Sequence, residues 1–150
     1  MLKINKNEFI NEESIECICE YNSKPLTEIA VKARREGKAS EFRGRNGLKS
    51  FIMMDDGYLF LCPLRPGTYI ERTTKEEYLV VSLRCYLKKK LIREISIKLS
   101  ARQRRDLKDK KEKKEYINLA KDKSVTHYIF MKSGHIYGTH LIKEDFEEIC

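Results

Sequence analysis

The stretch SFIMMDDGYLFLCPLRPGTYIE, residues 50–71, decides how the rest of the chain is read. Two apolar runs flank Asp56-Gly57, a dipeptide that supplies the backbone conformation a tight hairpin needs. Strands near 49–55 and 58–62 are expected on either side, and Pro66 opens a short helix over 66–72. Asp55 and Asp56 are turn residues on this reading, not a catalytic carboxylate pair. Further along, HYIFMKSGHIYGTHLIKEDFEE (127–148) has the same order, with Ser133-Gly134 at the turn.

An offset of 77 residues brings the two stretches together, and it holds upstream without a gap. Leu2 falls on Leu79, Ile15 on Ile92, Ile18 on Ile95 and Ser23 on Ser100. Ile52 falls on Ile129, Met54 on Met131, Gly57 on Gly134, Leu64 on Leu141 and Glu71 on Glu148. Similar residues share further columns, among them Ile4 with Val81, Phe9 with Tyr86, Phe51 with Tyr128 and Tyr69 with Phe146. One fixed offset that places every turn and apolar run predicts a diverged tandem duplication, with units at 1–73 and 78–150.

Each unit reads as α+β. In the first, residues 2–4 and 8–10 and the run IECICE (15–20) are strands. Ser23 stands at an N-cap position with Pro25 in the first turn, and Ile29, Ala30 and Ala33 keep helical spacing until Gly37 stops the helix. In the second, YLVVSLRCYL forms a hairpin and LIREISIKL a third strand. Ser100 with Gln103 makes a capping box. The helix from Ala101 to about Ala120 is read as longer and more basic than its counterpart. Strands near 126–131 and 135–139 and a final helix KEDFEEI complete the unit.

Composition narrows the class. The chain has 150 residues, 41% hydrophobic and 36% charged, with net charge +8. Residues 1–77 hold 13 basic and 13 acidic side chains, and residues 78–150 hold 18 and 10, so the whole excess lies in the second unit. Such asymmetry points to a polyanionic partner. No apolar run has the length of a membrane span, and MLKINKNEF lacks the apolar core of a signal peptide, so a cytoplasmic protein is expected. The five cysteines form no pairing framework. Cys17 and Cys19 alternate on one strand face and are read as buried free thiols.

An ordered set of residues in the first unit resembles the Rem family of bacterial biofilm-matrix regulators. The set is Ile15 and Ile18, Ser23 with Pro25, Ala33-Arg34 and Gly37, then Ile52, Met54-Asp55, Leu61, Pro66, Thr68 and Arg72. The resemblance runs from about Leu2 to Arg72 and reaches the second unit only through the first. It implies a DNA-binding transcription factor whose small subunits assemble into rings. It also implies DNA contact by a basic segment before the hairpin: a glycine, two arginines, a threonine and a third arginine. Here that segment is Arg45-Asn46-Gly47-Leu48-Lys49, and only Lys49 keeps a family charge, with Arg43 and Arg45 just upstream of it.

The residues expected to contact DNA are Arg43, Arg45 and Lys49 in the first unit and Arg102, Arg105 and Lys123 in the second. Arginine forks and lysines suit phosphate oxygens, and glycines let the backbone approach. Against this stands a solvated helix held by Asp106 with Lys110 and Asp109 with Lys113. Lys88-Lys89-Lys90 is read as a surface turn. His127, His135 and His140 crowd one region, but His135 and His140 differ by an odd number and face opposite ways on a strand. No Walker loop, H-E-x-x-H or nucleophile elbow is present, so no enzyme, metal or cofactor is expected. The expected function is a DNA-binding transcriptional regulator, with double-stranded DNA and further copies of the chain as partners. The alternative is an interaction protein that co-assembles with a Rem-type regulator or antagonises it.

Overall fold

The hairpin expected around Asp56-Gly57 is present, with Gly57 at φ 89°. The computed structural model describes residues 1–21, 24–45, 47–82, 85–120 and 123–140, with main chain only for 24–27. Ser23, the final helix KEDFEEI and Cys150 lie outside the described residues. In chain order the elements are β1 (Leu2–Asn5), β2 (Glu8–Ile10), β3 (Ile15–Glu20), α1 (Lys24–Arg35), β4 (Ala39–Glu41), β5 (Ser50–Met54), β6 (Leu59–Cys62) and α2 (Pro66–Glu71). They continue with β7 (Tyr78–Val81), β8 (Cys85–Lys88), β9 (Ile92–Ser96), α3 (Ala101–Glu112), β10 (Tyr116–Asn118), β11 (His127–Met131) and β12 (Ile136–Thr139). The fold class is α+β, as the hydrophobic patterns predict.

The described strands form three sheets. The largest has the order β4-β6-β5-β3-β8-β7, the second β10-β12-β11-β9, and β1-β2 stands as a pair of its own. The second half's hairpin β7–β8 thus joins the first half's sheet, through Cys17 opposite Leu87, Ile18 opposite Tyr86 and Cys19 opposite Cys85.

The offset of 77 reappears in the pairing registers. Ile18 faces Ile52, and Ile95 faces Ile129. Both pairs of strands carry an irregularity at the same column, between Ile15 and Cys17 in one and opposite Phe130/Met131 in the other. Ser50 faces Cys62 as His127 faces Thr139, and Ala39 runs parallel to Leu59 as Tyr116 does to Ile136.

Two expectations need correction. The second helix is not longer than the first: α1 and α3 both have 12 residues. At the end of α1, Gly37 N–H donates to Arg34 O (3.1 Å) and Lys38 N–H to Ala33 O (2.7 Å), with Gly37 at φ 72°. At the end of α3, Lys114 donates to Lys111 O and Glu115 to Lys110 O, with Lys114 at φ 61°. This is a Schellman stop in both cases. It is invisible in the second case because a lysine holds the left-handed position. The chain then pairs as β10 instead of continuing as helix. Strands β4 and β10 have only three residues each and went unread, β10 because it was taken into the helix, and they add the parallel pairs.

The main core joins the two halves. Cys17, Cys19, Phe51 and Met53, together with Ile29, Ala30 and Ala33 of α1, pack with Leu79, Val81, Leu87, Ile129, Met131 and Tyr137. A second cluster gathers Leu2, Ile4, Ile15, Ile18, Ile52 and Met54 with Tyr69 and Ile70 of α2. Sheet residues with cover on both faces explain why all five side chains of β5 are buried. A small third cluster holds Leu107, Phe130 and Ile136 under α3.

Candidate nucleic-acid interface

The start of α3 is fixed by the predicted capping box. Ser100 Oγ accepts from Gln103 N (3.2 Å) and Gln103 Oε1 accepts from Ser100 N (2.9 Å). The Gln103 amide also donates to Ser96 Oγ (2.7 Å), which anchors the helix to the end of β9. The first turn holds no acidic residue. Arginine there opposes the helix dipole, which favours negative charge at that end. The sequence nonetheless puts Arg102, Arg104 and Arg105 in this region, all exposed.

The acidic residues of α3 are matched elsewhere. Asp106 lies 3.9 Å from Lys110 and Asp109 lies 3.0 Å from Lys113, the two i,i+4 pairs expected from the sequence. Bonding to Asp109 holds the Lys113 ammonium above its ordinary value. Among the described residues, Arg102, Arg104, Arg105 and Lys108 have no acidic partner.

Lys123 is exposed in the loop between β10 and β11, its N–H bonded to Ala120 O (3.1 Å). Strands β9, β10 and β12 end, and β11 begins, on the side of the sheet where α3 starts. The topology therefore brings Arg102, Arg105 and Lys123 to one end of the second sheet.

The other three sites lie at the matching end of the first sheet, in the loop between β4 and β5. Lys49 is held through its main chain: its N–H donates to Cys62 O (2.8 Å) and its carbonyl accepts from Tyr21 N (3.0 Å). Arg43 is exposed but lies 3.5 Å from Glu41, which also binds Arg34. Arg45 stands at a turn closed by Gly47 N to Gly44 O (3.2 Å). A Cβ on Gly44 would come within 2.9 Å of Pro63 Cβ, so glycine is required where the loop lies against that proline. Arg45 is exposed and has no acidic partner among the described residues. The six residues thus form two groups of three, one per sheet.

Lys88 departs from the surface reading. It ends β8 with 1% of its surface exposed. Its ammonium donates to the Glu12 carbonyl, sits 3.9 Å from Glu77 and lies 4.9 Å from the centre of the Tyr78 ring. Burial lowers its pKa against the opposing pull of Glu77 and Glu12.

Sequence reasoning missed the polar cluster between the halves. Glu16 is fully buried. It accepts from Tyr137 Oη (2.6 Å) and from Ser133 Oγ, and its Oε2 lies 2.8 Å from His135 Nδ1. The signal was a lone carboxylate inside the apolar run IECICE, together with polar residues at 133, 135 and 137 on one strand period. Burial pushes the Tyr137 phenol well up. Beside the cluster is a cavity of about 160 Å³ bordered by Lys32, Lys38 and Lys114 as well as Glu36, Asp55 and Glu115, a lining of mixed sign. His127 bonds Thr126 Oγ1 (2.8 Å) and His140 lies 3.2 Å from Ser124 O, so the histidines serve separate partners. Burial, then His140, lowers the His127 pKa. No group of side chains suited to a metal occurs among the described residues. No described helix is long and apolar enough to cross a membrane.

These features define an α+β protein with basic loops and a basic helix outside its sheets. Residues 1–73 match the family described as RemA-like, Extracellular matrix regulatory protein A-like. Residues 1–73 thus form a unit of the Rem family. No curated protein matches the chain.

Proposed function

We propose that the protein is a non-enzymatic, cytoplasmic, DNA-binding transcriptional regulator that works as an oligomer. The observation that carries this reading is the set Arg102, Arg104, Arg105 and Lys108. These cations are exposed and unmatched on α3, at the cost of an unfavourable helix start, in a chain whose other half is a member of a matrix-regulator family. Lys123 at the same end of the sheet, and Arg45 with Lys49 on the first sheet, would add phosphate contacts. Such contacts position a duplex and do not read its sequence. The coincidence of registers, turns and helix stops at an offset of 77 supports a tandem duplication with a Rem-like unit in each half.

The test is binding to random double-stranded DNA at two salt concentrations. The wild-type protein should bind at low salt and lose affinity steeply as salt rises. Arg102→Glu with Arg105→Glu should weaken binding and flatten the log–log salt slope by about 2. Absence of binding at low salt, or an unchanged slope in the double variant, defeats the assignment.

A further inference from the structure

The cavity beside Glu16 is walled by both halves of the chain. The first half contributes α1, Lys38 and the turn between β5 and β6. The second contributes the link from α3 into β10 and the turn between β11 and β12. These turns lie at the end of each sheet opposite the six residues assigned to phosphate contact, since β5 runs from Lys49 toward the cavity and β12 runs away from it.

The lining divides into a floor and a rim. Ile29, Ala33, Met53 and Ile117 make a buried apolar floor. His135 is the polar side chain beside it, 14% exposed. Glu16 accepts from Tyr137 and Ser133, so it is the acceptor toward His135 as well, and Nδ1 of the imidazole carries the hydrogen between them. Nε2 has no partner among the described residues and is the ring nitrogen left for the cavity that His135 lines. On the rim, four charged side chains are engaged. Lys32 donates to Lys113 O (2.7 Å) and lies 3.9 Å from Glu36, Lys114 lies 4.0 Å from Glu28, and Asp56 accepts from Tyr58 N (2.9 Å). The remaining three, Asp55, Glu115 and Lys38, form no ion pair among the described residues.

We propose that this cavity binds a small zwitterion, an α-amino acid with an aliphatic side chain. Its ammonium meets Asp55 and Glu115, its carboxylate meets Lys38, and its side chain lies on the apolar floor, with His135 Nε2 beside the head group. Apolar walls with a few convergent polar groups are the general form of a small-molecule site. A ligand of one sign would meet like charge on this rim, and a neutral one would leave the unmatched charges without partners. Size agrees. An apolar cavity of about 150 Å³ holds benzene. This one, at about 160 Å³, therefore takes a side chain of up to about six carbons and leaves the charged head at the rim. Because the walls come from both halves, a bound amino acid stabilises the joint between them. The site goes beyond the function proposed above and does not depend on DNA.

Titration calorimetry of the full chain with L-leucine, in the absence of DNA, tests the proposal. Saturable binding is expected with a dissociation constant of about 1 mM or tighter, together with a melting temperature that rises with L-leucine concentration. Glycine has the head group without the side chain and should bind about tenfold more weakly. Isocaproate lacks the ammonium and isoamylamine lacks the carboxylate, and each should lose about as much. Asp55→Asn with Glu115→Gln, and separately Lys38→Gln, should each weaken L-leucine binding about tenfold. Both variants should keep the circular dichroism spectrum of the wild type, since none of the three side chains is buried. Absence of saturable heat with L-leucine, L-valine and L-methionine overturns the proposal. Glycine or isoamylamine binding as tightly as L-leucine overturns the ligand class, and unchanged affinity in both rim variants overturns the site.

Discussion

Oε2 of Glu16 lies 2.8 Å from Nδ1 of His135, and the two residues come from opposite halves of the chain. The same carboxyl accepts from Tyr137 and Ser133, so one buried side chain from β3 satisfies three polar groups of the second half. The apolar core that surrounds it is shared by both halves. Cohesion between the halves therefore depends on burial for strength and on this cluster for alignment.

Removing Glu16 should cost more than its own bonds, because buried Tyr137 and half-buried His135 lose their acceptor along with the exposed Ser133. Glu16→Ala is expected to lower unfolding free energy by about 3 kcal/mol. Tyr137→Phe, which removes one donor and keeps the ring, should cost about 1 kcal/mol. The double variant should be less destabilised than the sum, since the two share one bond. Additive losses in urea unfolding would show that the cluster is not one network.

Alkaline pH should destabilise the fold. Burial pushes the Cys62 thiol up to about 12, the Cys19 thiol well up and the Tyr116 phenol up to about 12. The unfolded chain releases these protons from about pH 9 upward while the folded chain keeps them, so stability falls across that window. Lys88 acts in the opposite sense. Its pKa is lowered, so the folded state releases its proton before the unfolded chain does, and its burial costs less as pH rises. Urea unfolding from about pH 8 to about pH 11 should show the decline, and Lys88→Met should make it steeper. A flat profile would contradict the burial of these groups.

The two helix stops offer a direct comparison. Lys114 holds φ 61° where the first half has Gly37 at φ 72°. A side chain in the left-handed region is strained and glycine is not. Lys114→Gly should stabilise by roughly 0.5–1 kcal/mol even though it gives up an exposed pairing with Glu28 at 4.0 Å, and Gly37→Ala should destabilise by a similar amount. Equal and opposite thermal shifts from the two substitutions are the expected result. Loss of stability from Lys114→Gly would mean that the ion pair outweighs the strain.

These stops also mark what was legible in the sequence. Strand and turn chemistry announced itself where the residue carried the geometry, as at Gly57, Gly37 and the Ser100–Gln103 box. It stayed hidden where another residue took over the geometry, as at Lys114, so α3 was extended to Ala120 and β10 went unread. Lys88 was misread because charge normally signals surface, and only the joint between β8 and β3 supplies its carbonyl acceptor. Glu16 was hidden for the same reason, since its partners lie more than a hundred positions away. Unmatched cations on α3 were half legible: the i,i+4 pairs with Asp106 and Asp109 were readable, and the arginines left over followed from them.

The two halves solve one packing problem in inverse ways. Columns 39 and 61 hold Ala39 and Leu61 in the first half, and the same columns hold Tyr116 and Gly138 in the second. Leu61 is fully buried. A Cβ on Gly138 would overlap the Tyr116 hydroxyl and lie 3.0 Å from Tyr116 Cζ and 3.1 Å from Val125 Cγ1. The ring of Tyr116 thus fills the space a side chain at 138 would need. Gly138→Ala should cost about 1 kcal/mol, because the tyrosine can swing outward, and Gly138→Leu about 3 kcal/mol. Tyr116→Ala alone opens a void beside the glycine and should also destabilise. Combining Gly138→Leu with Tyr116→Ala recreates the arrangement of the first half and should recover about 1–2 kcal/mol relative to the sum of the single losses. A double variant as unstable as that sum would show that the exchange of large and small residues between the halves is not compensatory.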